Sequence, residues 1–220
     1  PAADFIAQLQ ARLPFTLLQD AAINTDWQRA AVAGSAPIGV FQQQQAGLQM
    51  VAVGAQLGRI SAEQLLALAD LAEHYGDASL RLTPWQGLLL PNIPTARSAA
   101  LLAQLAALDL LTDAAEPLTR LIACTCVKGL ADCKADALLL AERLRNHTAR
   151  PQVHLSGCPR SCACAHVAPY TLLAHSAGTY SLYQQAPNVP GFGQLLVPSM
   201  TIEQAGDWFA AAPATGITHA

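Results

Sequence analysis

All six cysteines of the chain lie between Cys124 and Cys164, in two groups. The first is Cys124-Thr-Cys126, followed by Cys133 with six residues between; the second is Cys158, Cys162 and Cys164, flanked by His154 and His166. Thiolates are soft ligands, and four of them delivered by two loops suit a cubane iron–sulfur cluster. Gly157 leaves backbone N–H groups free to face cluster sulfides, and Pro159 stiffens the loop that would wrap it. Structural zinc is a second reading, although its cysteines are usually paired as C-x2-C, whereas three residues separate Cys158 from Cys162 here. The third reading is a set of inert buried thiols without metal. The spacing favours the cluster and leaves the other two open. His154 and His166 read as hydrogen-bonding side chains rather than ligands.

The elements that must position these residues follow from periodicity. A helical lead-in, residues 1–36, carries Phe5, Ile6, Leu9 and Leu13 at helical spacing, which predicts a buried stripe. Residues 33–37 read as a linker. Residues 37–117 alternate between strand and helix. Strands are expected at 38–41 and 48–53, then a helix opened by a Ser61/Gln64 capping box, with Leu65, Leu68, Leu71 and Tyr75 on its inner face and Gly76 at its end. Extended chain around Pro84 and a second helix over 98–108 complete a β-β-α-β-α order, the pattern of a ferredoxin-like α+β half-domain. Residues 118–220 form a mixed α/β half. Strands are expected at 121–123, 152–155, 170–174 and 179–183, with helices at 131–145 and 202–211.

Composition excludes several classes. Of the 220 residues, 52% are apolar and 12% charged, with a formal charge of −3, which argues against disorder. Lys128 and Lys134 are the only lysines, and no basic face is visible for nucleic acid. No apolar run is long enough to span a bilayer, and no signal peptide is recognisable. Clustered cysteines without a secretory signal point to a reducing, cytoplasmic compartment. The chain starts at Pro1, so it reads as processed or as a piece of something longer.

His154-Leu-Ser-Gly-Cys158-Pro-Arg-Ser-Cys162-Ala resembles the second cysteine signature of the sulfite and nitrite reductase superfamily, and Ala123-Cys124-Thr125 with Gly129-Leu-Ala-Asp-Cys133 resembles the two ends of the first. Arg81-Leu-Thr-Pro-Trp85-Gln-Gly-Leu-Leu-Leu-Pro91 is similar to the strand that faces the macrocycle in that superfamily. The resemblance implies a [4Fe–4S] cluster on Cys133, Cys158 and Cys162, with Cys126 or Cys124 as the fourth ligand, and with sirohaem or a mononuclear iron as further cofactor. It implies that Arg81, Thr83 and Gln86 contact a tetrapyrrole, and that Arg160 neutralises cluster or substrate charge. It also implies an external electron donor. The superfamily is built of two tandem halves, so the chain corresponds to a C-terminal half that needs a complementary half-chain or a homodimer.

Within the superfamily, Leu57-Gly58-Arg59, Leu82-Thr83-Pro84-Trp85 and Leu130-Ala131-Asp132 look most like the precorrin-3B synthases. The expected activity is then a monooxygenase of aerobic cobalamin biosynthesis, converting precorrin-3A to precorrin-3B by ring hydroxylation and lactone formation. The catalytic residues stay unassigned, since no 2-His-1-carboxylate set stands out. A sirohaem-dependent sulfite or nitrite reductase is the alternative, against which the scarcity of lysine weighs, because a small anion needs cations around it. A non-catalytic iron–sulfur or zinc-stabilised module is the third reading.

Overall fold

The structure is a computed structural model and describes residues 2–17, 36–125, 131–147, 151–164 and 167–211. The chain divides into two compact units, Pro1–Gly34 and Ser35–Ala220. In the first, helix α1 (Ala2–Gln10) is followed by a turn closed by the Gln10 side chain, which donates to the Phe15 carbonyl and accepts from the Leu17 N–H. The predicted buried stripe is not formed: Phe5 is 66% exposed and Leu9 is also exposed. A nine-residue helix is too short to build a core alone. The predicted linker lies mostly outside the described residues.

The second unit contains two sheets. The first has the order β1-β2-β4-β3, with β1 at Gly39–Gln42, β2 at Leu48–Gly54, β3 at Arg81–Leu82 and β4 at Gly87–Pro94, all antiparallel. Val51 and Val53 of β2 and Leu88, Leu90 and Ile93 of β4 join Leu68 and Ala72 of α2 (Ala62–Tyr75) and Leu101 and Leu105 of α3 (Ser98–Ala107) in one core. The expected capping box is present: the Ser61 hydroxyl accepts from the Gln64 N–H, and the Gln64 side chain accepts from the Ser61 N–H. Leu65 departs from expectation and is exposed. At that end of the helix the inward position is held by Gln64, whose amide donates to the Leu108 carbonyl at 2.7 Å. After α3 the chain returns to β2, where Gly54 and Leu111 exchange two backbone hydrogen bonds.

The second sheet has the order β5-β6-β7-β8-β9: β5 Leu121–Ala123, β6 Val153–Ser156, β7 Tyr170–Ser176, β8 Thr179–Gln184 and β9 Gln194–Met200. β5, β6 and β7 run parallel, while β8 and β9 are antiparallel additions. Alternate residues, Leu121, Ala123, Val153, Leu155, Tyr170 and Leu172, face helices α4 (Cys133–Arg143) and α5 (Ile202–Ala211) in the second core. The strand β9 was not expected from the sequence, because Pro198 lies within it. Proline is tolerated there because β9 is the sheet edge and needs no second ladder.

Polar groups inside this second core are specific. The Tyr180 hydroxyl, fully buried on β8, donates to the Asp136 carboxylate on α4. On the opposite face of the sheet, His154 and Thr171 are buried and directly paired across β6 and β7, and among the described residues neither His154 Nε2 nor Thr171 Oγ1 has a hydrogen-bond partner. Burial pushes the His154 imidazole down from 6.5 to about 4, so it is held neutral.

Two outcomes follow. The unfolded chain takes up a proton at His154 near pH 6.5 and the folded chain only near 4, so this residue's contribution is complete above pH 6.5 and is lost as the pH falls towards 4. Urea titrations should show roughly 2–3 kcal/mol of such loss in the wild-type protein. The difference between wild type and His154→Leu should vary with pH over that window, and a constant difference contradicts the assignment. Tyr180→Phe should destabilise by about 1–3 kcal/mol, read as a Tm lower by several degrees, since a buried charge-assisted hydrogen bond is removed; an unchanged Tm contradicts it.

Candidate metal centre

The parallel pairing of β5 with β6 brings the two cysteine groups together. Ala123 stands opposite Leu155, so the chain leaves both strands at the same carboxyl edge. Cys124 follows at once on β5, its N–H donating to the Leu155 carbonyl at 2.9 Å. On β6, Ser156 is followed by Gly157 and Cys158, and the Ser156 hydroxyl donates to the Cys158 carbonyl at 2.8 Å, turning the chain into the cysteine loop. Ser161, at φ 53°, and the Cys164 N–H bonded to the Ser161 carbonyl continue the turn. The crevice beyond the carboxyl ends of parallel strands is where open α/β sheets hold ligands.

Cys133 opens α4, which must start at this edge to run back towards β6. Asp132 caps the helix by accepting from the Ala135 N–H at 3.2 Å. Cys133 and Cys124 are both buried in the second core, Cys158 and Cys164 are half-buried and Cys162 is exposed. The site therefore grades from core to surface across a single edge. Cys126 and His166 lie outside the described residues. Burial pushes the Cys133 thiol up to about 11, and the neighbouring Cys124 and Asp136 add to that, while the Tyr180 hydroxyl at 4.0 Å from the sulfur opposes it. Binding of a metal centre here must therefore displace protons.

The donor set fits an iron–sulfur cluster better than a single ion. Among the described residues, no three His, Cys, Asp or Glu side chains converge as ligands of one metal ion. A cubane takes each thiolate on a different iron, so its ligands stand apart around a compact object. The described cysteines are all free thiols.

The predicted tetrapyrrole contacts fall in two places. Arg81 is exposed on β3, opposite Leu89. Thr83 closes a tight turn, both its N–H and its hydroxyl bonding the Gly87 carbonyl, and the same hydroxyl accepts from the Gly87 N–H. Gln86 sits in that turn at φ 59°. Its side chain lies over Gly58, where a Cβ would come within 2.5 Å of Gln86 Oε1. Gly58 itself is at φ 71° and the preceding Leu57 at φ 48°. Left-handed non-glycine residues such as Leu57 and Gln86 are uncommon and gather at functional sites. The turn Gln56–Gly58 packs on β5, with Leu57 against the second core. Arg59 follows, and its charge contributes to lowering the Lys134 pKa. Arg160, in the cysteine loop, is exposed.

The Lys134 Nζ is shielded from water and has no hydrogen-bond partner among the described residues, and burial first, then Arg59, lowers its pKa. Neither Arg59 nor Lys134 was expected as a site residue. A sequence signal existed in their position, Lys134 following a ligand-type cysteine and Arg59 following a glycine turn.

Residues 41–108 match the nitrite/sulfite reductase ferredoxin-like half domain. The chloroplastic ferredoxin–nitrite reductase of Zea mays is 34% identical over 177 residues, 74% of this chain and 30% of that protein. The ferredoxin–nitrite reductase of Synechococcus elongatus is 35% identical over 62% of this chain and 28% of its own length. Sulfite reductase [ferredoxin] 2 of Mycolicibacterium paratuberculosis is 34% identical over 56% of this chain and 24% of its own. The structure of Mycobacterium tuberculosis NirA superposes with a TM-score of 0.64 at 28% identity, covering 79% of this chain and 36% of that one. The chain thus spans less than a third of the length of these curated relatives.

These relatives overturn the expected precorrin-3B synthase activity: they are named nitrite and sulfite reductases, and neither the monooxygenase reaction nor a place in cobalamin biosynthesis holds. The short motifs that suggested it encode turn geometry, at Leu57–Gly58 and around Pro84, rather than a substrate. Nitrite and sulfite reductases use a [4Fe–4S] cluster coupled to sirohaem, in agreement with the cluster expected from the cysteines and the sirohaem expected from the resemblance. Among the described residues no helix is long and apolar enough to cross a membrane. Through its ferredoxin-like half domain and the α+β architecture that follows, the chain belongs to the nitrite/sulfite reductase superfamily.

Proposed function

We propose that this chain is the cluster-bearing part of a ferredoxin-dependent nitrite or sulfite reductase. The observation that carries the reading is the parallel pairing of β5 with β6, which ends the two strands that lead into Cys124 and Cys158 at one carboxyl edge, in a chain whose matches to ferredoxin–nitrite reductases extend over 74% of its length. In this reading residues 37–117 form the ferredoxin-like half-domain and residues 118–220 the cluster-binding half-domain.

Cys133, Cys158 and Cys162 hold the cluster. Cys124 is the thiol beside Cys133 among the described residues and is taken as the fourth ligand, with Cys126 as the competing one. A cluster held by these cysteines would supply one-electron transfer between an external donor and a sirohaem. The chain's own residues do the rest. β5 and β6 hold the ligand loops apart at a fixed spacing. The second core keeps water from Cys124 and Cys133, while exposed Cys162 stands at the surface end of the site. Arg81 offers a guanidinium to tetrapyrrole carboxylates, Gln86 a neutral amide, and Arg160 a charge in the cysteine loop. Thr83 shapes the turn that presents Gln86, since its hydroxyl is already bonded to Gly87. The few lysines no longer argue against a reductase, because a chain spanning less than a third of its relatives need not supply every cation around the anion.

Anaerobic reconstitution should give about four iron and four sulfide per chain. Cys133→Ala, Cys158→Ala and Cys162→Ala should each remove most of the iron, and Cys124→Ala should do so while Cys126→Ala does not. Full iron content in Cys158→Ala contradicts the ligand set; the reverse result at Cys124 and Cys126 transfers the fourth position to Cys126.

A further inference from the structure

We infer that Ser161 is a positioning residue for the cysteine loop: its hydroxyl locks the two turns that carry Cys158 and Cys162, so that the chain itself holds both ligands in place for a cluster. The inference rests on the reading of Cys158 and Cys162 as cluster ligands and adds a role to a residue outside the ligand set.

Two consecutive turns meet at Ser161. The first begins at Cys158, whose carbonyl accepts from the Ser161 N–H at 3.5 Å. The second ends at Cys164, whose N–H donates to the Ser161 carbonyl at 3.2 Å and whose carbonyl accepts from the Ser161 hydroxyl at 2.9 Å. Cys162 lies inside this second turn. Cys164, which the ligand set leaves out, is thus gripped at both backbone groups by one residue. The Cys158 carbonyl also accepts from the Ser156 hydroxyl at 2.8 Å, and Ser156 is fully buried at the end of β6. The lock is therefore anchored on the sheet, and every bond in it is made by the chain.

Ser161 occupies the left-handed region at φ 53°. Glycine and asparagine are the usual residues there, and a serine holds that conformation where its surroundings over-determine it. Here the surroundings are the bonds just named, and the bond to the Cys164 carbonyl is the one that the side chain supplies. Cys162 is exposed, and Cys158 and Cys164 are only half-buried, so core packing does little to fix them. A loop already closed by its own hydrogen bonds loses less conformational freedom when it wraps a ligand.

The test compares the full chain with Ser161→Ala and Ser161→Asn, iron-free and reconstituted. In the iron-free chain, trypsin should cut after the exposed Arg160 about fivefold faster in Ser161→Ala than in the wild type, because cleavage follows the population of the opened loop. Cleavage after the exposed Arg97, in the other sheet's half, should keep its wild-type rate. After reconstitution, Ser161→Ala should release iron to a chelator about tenfold faster. Ser161→Asn tolerates the left-handed region and carries an amide donor, so it should recover most of both effects. Failure of Ser161→Ala to take up any iron, with cleavage after Arg97 unchanged, is the same result at its limit. Wild-type rates of cleavage after Arg160 or of iron release in Ser161→Ala overturn the inference. An equal acceleration after Arg97 also overturns it, since that reads a general loss of fold, as does a Ser161→Asn chain no slower than Ser161→Ala. Failure of the wild-type chain to take up iron would instead overturn the cluster reading itself, while the cleavage after Arg160 still judges the lock.

Discussion

The three-residue parallel contact between β5 and β6 is the constraint on which the site depends. Parallel strands require a crossover, here through α4, and the crossover returns the start of that helix to the carboxyl edge where both strands end. Cys124, Cys133 and the loop from Gly157 to Cys164 are thereby brought to one edge from separate segments of the sequence. The antiparallel β8 and β9 widen the sheet without adding ligands. Their work is done from beneath: Tyr180 on β8 reaches the first turns of α4 and fixes Asp136, one turn beyond Cys133.

A second constraint joins the two sheets. The Gln56–Gly58 turn belongs in sequence to the ferredoxin-like sheet but packs on β5. It does so with Leu57 and Gly58 in the left-handed region and with Gln86, also left-handed, laid over Gly58. Backbone strain of this kind persists only where the surroundings over-determine it. Here the surroundings are the second core, which holds Leu57, and the Ala55 N–H, which holds the Gln86 carbonyl at 3.1 Å. The result is a joint in which Gln86 is laid over Gly58 and the turn before Arg59 packs on β5, the strand that leads into Cys124.

Much of this was legible in the sequence, and the misses have physical causes. The Ser61/Gln64 capping box, the closing helix at Ile202–Ala211 and the grouping of the cysteines are local signals, written in residues a few positions apart. The strand β9 was hidden by Pro198, whose prohibition applies to central strands and lapses at an edge. Leu65 and Phe5 had the right periodicity, but periodicity reports which residues share a face and not whether anything covers it. Arg59 and Lys134 were missed because the influence of one charge on the other depends on the fold, and their places after a glycine turn and after a cysteine are weak signals by themselves. The narrower activity was misread because turn-forming motifs such as Leu57-Gly58-Arg59 carry backbone geometry that different chemistries share.

The central claim is that these cysteines hold a cubane cluster and nothing else. It is tested most directly by the low-temperature EPR spectrum of the anaerobically reconstituted, chemically reduced chain. The account predicts the rhombic signal of a single unpaired electron on a reduced [4Fe–4S] centre, silent before reduction and present in proportion to the iron bound. A chain that stays silent on reduction, or one that retains zinc in place of iron, would contradict it.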